Sequence, residues 1–321
     1  MARKIEQKIE RLSALGEAPV AEALPALRKA LADRVNLVVA KCAKIAAARR
    51  LGELIPDLLK AFDRLLENPV QRDPQCWGKI AIANALRDLD YHESGPFLRG
   101  ARHIQMEPVW GGEEDTAQPL RGACLLALIA CSDLDRSEIL RCLVDAVTEK
   151  EAVVRGEAVR AIVEMAGDEA ALLLRFKARI GDDEPDVIGQ VFDGILRLEG
   201  GAAIPFLAAF LHSGREVRDE AALALGSSRL ASAVAELKRT FDETRDPAFR
   251  ATLLRALSVS REPDALARLL NLVKTARLQE AIDAVEALAI HRGTPEIRDA
   301  VAAAVEERPQ ELRDQFGKLF T

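Results

Sequence analysis

The chain has 321 residues, 49% hydrophobic and 30% charged, with a formal net charge of −6 and only ten Phe, two Trp and one Tyr. This composition excludes intrinsic disorder and a disulfide framework, and the net negative charge argues against a duplex nucleic acid as partner. Ala and Leu supply roughly three residues in ten, while Val, Ile, Thr and Tyr form no alternating runs, so the chain is expected to be all-helical.

In chain order, the first residues carry both charge signs with no apolar run behind them, so no secretory signal is expected. No stretch approaches the roughly 20 apolar residues of a membrane span, which points to a cytoplasmic protein without membrane contact. Residues 4–15 and 20–32 predict a capping helical pair. Residues 33–293 then contain a repeat. Its clearest copy is Glu216-Val217-Arg218-Asp219-Glu220-Ala221-Ala222-Leu223-Ala224-Leu225-Gly226, followed by a turn and a second amphipathic segment over 231–241. Related segments begin at Leu120, Val154 and Phe249, with weaker ones near Lys44, Lys79, Gly189 and Ala281.

Anchored on the Arg-like position, the copies sit at 44, 79, 121, 155, 189, 218, 250 and 281, giving spacings of 35, 42, 34, 34, 29, 32 and 31. Two helices per period of this length predict a helical solenoid. Small and apolar residues fall on one face of each anchor helix, so neighbouring helices approach closely and large rings are not needed. Asp73-Pro74, Glu184-Pro185, Asp246-Pro247 and Thr294-Pro295 each mark a predicted helix start, because proline at the first helical position loses no hydrogen bond. Residues 294–321 predict a closing helical pair. The five cysteines (Cys42, Cys76, Cys124, Cys131 and Cys142) lack C-x-x-C spacing and read as reduced, mostly buried small side chains, with no metal role.

The segment 217–226 resembles the short bacterial HEAT repeat of the phycobilisome-lyase type. The resemblance implies a right-handed α-solenoid of about eight HEAT-like helix pairs with helical caps, forming one domain over 1–321. Its relatives include scaffolds, chromophore lyases, di-iron deoxyhypusine hydroxylases and HEAT-like alkylpurine glycosylases, so the fold does not assign a function. The hydroxylases carry His-Glu pairs where this chain has Asp219-Glu220 and Gly156-Glu157, and only His92-Glu93 remains here. The glycosylases use Trp and Asp on a basic surface, a set that Trp77, Trp110 and Asp115 could imitate only on a basic end of this acidic chain. No phosphate-binding loop, nucleophile elbow or zinc-binding helix motif is present, and no cofactor is expected.

The spacing of 42 is the irregular one, and its excess lies in His103-Ile104-Gln105-Met106-Glu107-Pro108-Val109-Trp110-Gly111-Gly112-Glu113-Glu114-Asp115-Thr116. This predicts a long loop over 103–118, turning at Gly111-Gly112, with Asp115 or Thr116 capping the next helix. Both tryptophans and the single tyrosine fall between residues 77 and 110. The candidate binding set is therefore Trp77, Tyr91, His92, Arg99, Arg102, His103, Gln105, Glu107, Trp110 and Asp115. Two outcomes stay open at this point: Trp110 plugs the widened repeat, or the region is a site. The expected function is a non-catalytic, monomeric protein-binding scaffold that presents a concave face made of the second helices. The alternatives are an enzyme or small-ligand binder using residues 91–116 and, less favoured, a nucleic-acid-binding protein.

Overall fold

The computed structural model describes residues 2–320, with side chains from Ile5 onward. Its helices divide into two compact units between Met165 and Ala166. The first unit contains α1 (Ala2–Leu15), α2 (Val20–Leu31), α3 (Asn36–Ala48), α4 (Ile55–Leu66), the single turn α5 (Pro69–Arg72), α6 (Trp77–Asp88) and α7 (Gly95–Ala101). A hairpin follows, β1 (Met106–Val109) and β2 (Gly112–Asp115), then α8 (Gln118–Leu128), α9 (Arg136–Val147) and α10 (Ala152–Met165). The second unit runs through α11 (Gly167–Ile180), α12 (Pro185–Glu199), α13 (Ile204–Ala208), α14 (Arg215–Ser227) and α15 (Ala231–Glu243). It ends with α16 (Pro247–Ser260), α17 (Pro263–Thr275), α18 (Leu278–Leu288), α19 (Pro295–Val305) and α20 (Gln310–Phe320).

Each unit is a stack of helix pairs, the architecture of a helical-repeat solenoid. The anchor helices pack directly on one another: α3, α6, α8 and α10 in the first unit, and α12, α14, α16 and α18 in the second. All eight anchors fall on these helices. Their contact faces are alanine, glycine and leucine, as at Ala221, Ala222, Ala224 and Leu225 of α14, all buried. The approach is so close that a methyl group added at Gly226 would lie 2.3 Å from the Ala256 carbonyl oxygen of α16. This backbone-to-backbone fit is the physical reason the sequence is rich in alanine and poor in rings.

Most anchor side chains are charged, yet apart from exposed Lys44 they are buried or partly buried. Lys79 is fully buried, and Arg121 and Arg155 nearly so. Arg155 Nη1 donates to the Glu149 and Lys150 carbonyl oxygens, and Arg250 Nη1 donates to those of Phe241 and Thr244. Their guanidinium groups thereby satisfy the carbonyls where the preceding helix ends. Three anchors also reach an acid about one period ahead: Arg121 pairs with Glu149, Arg218 with Asp246 and Arg250 with Glu280. Arg250 further stacks over the Phe241 ring, 3.8 Å from its centroid. The repeat is thus held by a partly buried polar latch as well as by apolar contact.

Helices α12, α16 and α19 start at Pro185, Pro247 and Pro295 as the proline signals predict, and the terminal pairs lie at α1–α2 and α19–α20. Three expectations need correction. Asp73-Pro74 opens only one 3-10 turn over Pro74–Cys76, because Gln75 and Cys76 take left-handed φ angles of 61° and 54° before α6 begins at Trp77. The lengthened segment is a two-stranded antiparallel hairpin rather than an open loop. Finally, residues Pro185–His212 do reach the length and hydropathy of a membrane span, but Gly200 breaks the segment with a φ of 59°, and the buried faces of α12 and α13 belong to the unit core. All five cysteines are free; four are buried and Cys142 is partly so.

Candidate functional site

The inserted hairpin pairs Met106 with Asp115, Glu107 with Glu114, Pro108 with Glu113 and Val109 with Gly112, leaving Trp110 and Gly111 as the two-residue turn. Gly111 takes a φ of 97°, which glycine accepts without strain, so the turn falls at Trp110-Gly111, one residue before the expected Gly111-Gly112, and Gly112 opens β2. An isolated two-stranded hairpin is marginal in water, so this one needs support from the unit it emerges from. That support is a buried polar network at its base.

Glu107 is buried and its Oε1 accepts three hydrogen bonds: from the Gln75 backbone N–H at 2.7 Å, from Thr116 Oγ1 at 2.6 Å and from Gln105 Nε2 at 2.6 Å. Burial pushes its pKa up, but the bonds from Thr116, Gln105 and Gln75 and the nearby Lys79 charge outweigh this and hold the carboxyl below its ordinary value. Gln105 is the hub. Its Nε2 also donates to the Asp73 carbonyl oxygen, and its Oε1 accepts from Lys79 Nζ at 2.9 Å and Cys76 Sγ at 3.2 Å. Beneath it lies a fully buried ion pair, Lys79 Nζ to Asp73 Oδ2 at 3.1 Å. Asp73 additionally accepts from the Gly78 and Lys79 backbone N–H groups and from Asn36 Nδ2, and so caps α6 from across the kink at Gln75 and Cys76.

A second set fixes the other strand. Asp115 Oδ1 accepts from the backbone N–H groups of Gln105 and Ala117, and its Oδ2 accepts from Arg121 at 2.6 Å. Burial works against the Asp115 carboxylate, but these bonds and the Arg121 charge keep its pKa below normal. Half-buried His103 directs Nε2 to Gln105 Oε1 at 3.2 Å, so the proton belongs on Nε2, since that oxygen already accepts from Lys79. Burial, followed by the charges of Lys79 and Arg121 against the opposing pull of Gln105 and Asp115, lowers the His103 pKa and favours the neutral ring.

The structure therefore brings together Gln105, Glu107, His103 and Asp115 from the candidate set, but as the base of the hairpin rather than as walls of an open cavity. Trp110 is carried away from them to the tip, where its side chain is 103% exposed. Ile104, Met106 and Val109 are exposed as well, with Met106 and Val109 on opposite faces of β1. The remaining candidates serve other contacts. Tyr91 donates to Glu93 and sets its ring edge-on against Phe97, and burial followed by the Glu93 bond pushes its pKa up to about 12. His92 Nδ1 meets the Ala130 carbonyl oxygen at 2.8 Å, Arg99 pairs with Asp63, and Arg102 lies exposed beside Leu98 and Ile104. Sequence reasoning missed Asp73, Lys79, Thr116 and Arg121. Asp73 and Thr116 carried signals as presumed helix caps, and Lys79 and Arg121 as repeat anchors, but their spacing did not reveal that they would hold the insertion together.

Trp77, the other tryptophan, is half-exposed at the start of α6 and lines a surface groove of about 660 Å³ between α3 and α6. Both are anchor helices, so this groove lies on the first helices of the pairs and not on the second helices that were expected to present the binding surface. Among the described residues, no cluster of three or more His, Cys, Asp or Glu side chains has metal-binding geometry.

No family model matches the chain, and no curated protein matches it. Solved structures that match include human deoxyhypusine hydroxylase in complex with glycerol, at 18% identity and a TM-score of 0.31, covering 81% of this chain and 99% of that one. An engineered protein matches at 16% identity and a TM-score of 0.34, covering 97% of this chain and 93% of that one. What is established for the chain is its helical-repeat architecture, which its own packing displays.

Proposed function

We propose that this chain is a cytoplasmic, non-catalytic scaffold of HEAT-like repeats, related to the bacterial phycobilisome-lyase type, which binds a protein partner through the Trp110 hairpin. The observation that carries the reading is a fully exposed indole at the tip of an arm whose base is fixed by buried charged groups. A rigid aromatic presented in this way loses little entropy on binding and offers both apolar area and an N–H donor, the properties of an interface anchor. The groups that could have done chemistry are already engaged: Lys79 and Asp73 are sealed from solvent, and Glu107 and Asp115 hold the strands. A carboxylate saturated with donors and held below its ordinary pKa is a poor general base.

The test is affinity capture from cell extract with the intact chain beside Trp110→Ala and Glu113→Ala. Because Trp110 makes no core contact, its removal leaves the fold intact. The reading expects partners that are retained by wild type and Glu113→Ala and lost from Trp110→Ala; a partner set indifferent to Trp110 overturns it.

A further inference from the structure

The groove between α3 and α6 has no role in the hairpin. It is walled by Leu37, Trp77 and Ile80, with alanines such as Ala40, Ala47, Ala81 and Ala85 along its floor. Small floor residues leave depth that larger side chains can fill. From Leu37 to Ala48 the wall spans eleven helical steps, or about 16 Å at 1.5 Å per residue, which is three turns.

Charge along the groove is one-sided. Lys44 is exposed on its α3 rim and makes no ion pair or hydrogen bond among the described residues. Asp88, on the α6 rim, is already paired with Arg87 at 3.1 Å. The uncompensated charge at this apolar groove is therefore positive. Both walls are α-helices with internally bonded backbones, so they offer no free N–H or C=O edge to an extended strand. A helical segment, whose own backbone is bonded internally, enters such a groove without leaving a polar group unpaired.

Resting on the scaffold reading, we propose that the α3–α6 groove is a second docking site, which takes an amphipathic helical segment of a partner protein. Its apolar residues at i, i+3 or i+4, and i+7 fill the space beside Trp77, and a carboxylate meets Lys44. The hairpin and the groove then grip one partner from the same unit. Glu107 of the hairpin binds the Gln75 backbone, two residues before Trp77, so both tryptophans depend on one turn for their placement.

The test uses a random-peptide phage library selected on the full chain, with enriched sequences synthesised and their affinities read by anisotropy. Lys44→Glu reverses the unpaired charge and Ala48→Trp fills the groove; both positions are exposed, so neither variant perturbs the core. The proposal expects helical-pattern peptides bearing Asp or Glu, weakened about tenfold or more by either substitution, which corresponds to about 1.4 kcal/mol. In a Trp110→Phe background these peptides also shift the emission of Trp77. Failure to enrich any peptide, or enrichment of peptides that bind both variants as tightly as wild type, overturns the proposal. A partner lost on Trp110→Ala but kept by Lys44→Glu and Ala48→Trp would remove the groove while leaving the scaffold reading in place.

Discussion

Glu107→Ala tests how the hairpin is held. The substitution removes the acceptor for three donors. Two of them keep another partner: Gln105 Nε2 retains the Asp73 carbonyl and Thr116 Oγ1 retains the Gln105 carbonyl. The Gln75 N–H is left without an acceptor. Hydrogen bonds to a charged group contribute about 1.5–3 kcal/mol each and an orphaned donor costs about 1–3 kcal/mol, so with partial compensation the hairpin should lose about 2–4 kcal/mol of docking stability. At 1.4 kcal/mol per decade, this is roughly a thirty- to thousand-fold rise in local opening. Hydrogen–deuterium exchange over residues 104–117 reads it, with Glu114→Ala, an exposed position on the paired strand, as control. A pH series adds a second arm. The Glu107 pKa is lowered on folding, so its contribution is complete above the ordinary glutamate value of 4.5 and disappears as pH falls through the lower folded value. Wild-type protection, corrected for intrinsic rates, should therefore fall in acid toward that of Glu107→Ala. Equal exchange in Glu107→Ala and Glu114→Ala at neutral pH would refute the network as the source of hairpin order.

The close-packed layers give a contrast between two glycines. A methyl group at Gly100 would lie 2.3 Å from Cys124 Sγ, whereas at Gly226 it would lie 2.3 Å from a backbone carbonyl oxygen. Gly100→Ala and Gly226→Ala should each lower the denaturation midpoint by an amount corresponding to about 1–3 kcal/mol. Cys124→Ala should rescue the first, while no side-chain trimming rescues the second; additive behaviour of Gly100→Ala with Cys124→Ala would contradict the packing. In the second unit, burial, followed by Asp186, Asp193 and Asp219, raises the pKa of Glu220. Its charged form is therefore penalised in the fold, and Glu220→Gln should raise the thermal midpoint at neutral pH, with the gain shrinking as acid protonates the wild-type side chain. A gain that is constant with pH would show that charge is not the cause.

How much of this was legible in the sequence depended on whether the determining contacts were local. Periodic alanine and leucine on one face, with prolines at Pro185, Pro247 and Pro295, specify helices and their starts within a few residues, and the repeat read correctly. The hairpin did not, because its strands are short and largely polar: Gly112-Glu113-Glu114-Asp115 has no strand-like alternation, and pairing rests on bonds from Glu107 to Gln75, 32 residues earlier. The anchors taught a similar lesson. A charged residue at a regular helical position looks solvated, yet Lys79 and Arg121 are buried because Asp73 and Asp115, each six residues earlier and ahead of the helix, neutralise them. Within the candidate set, the structure leaves the rings of Trp77 and Trp110 exposed. Glu107 and Asp115 instead accept from backbone N–H groups at the base of the hairpin, and the His103 ring meets the Gln105 side chain, contacts that no residue type announces.

The most direct measurement of the central claim is the emission of Trp110 in a Trp77→Phe protein, recorded free and with a captured partner. The account predicts a water-exposed emission maximum and full iodide quenching in the free protein, with a blue shift and protection from iodide when the partner binds. A tip that is already shielded in the free chain, or an emission unchanged by a bound partner, would contradict a scaffold that docks through its hairpin.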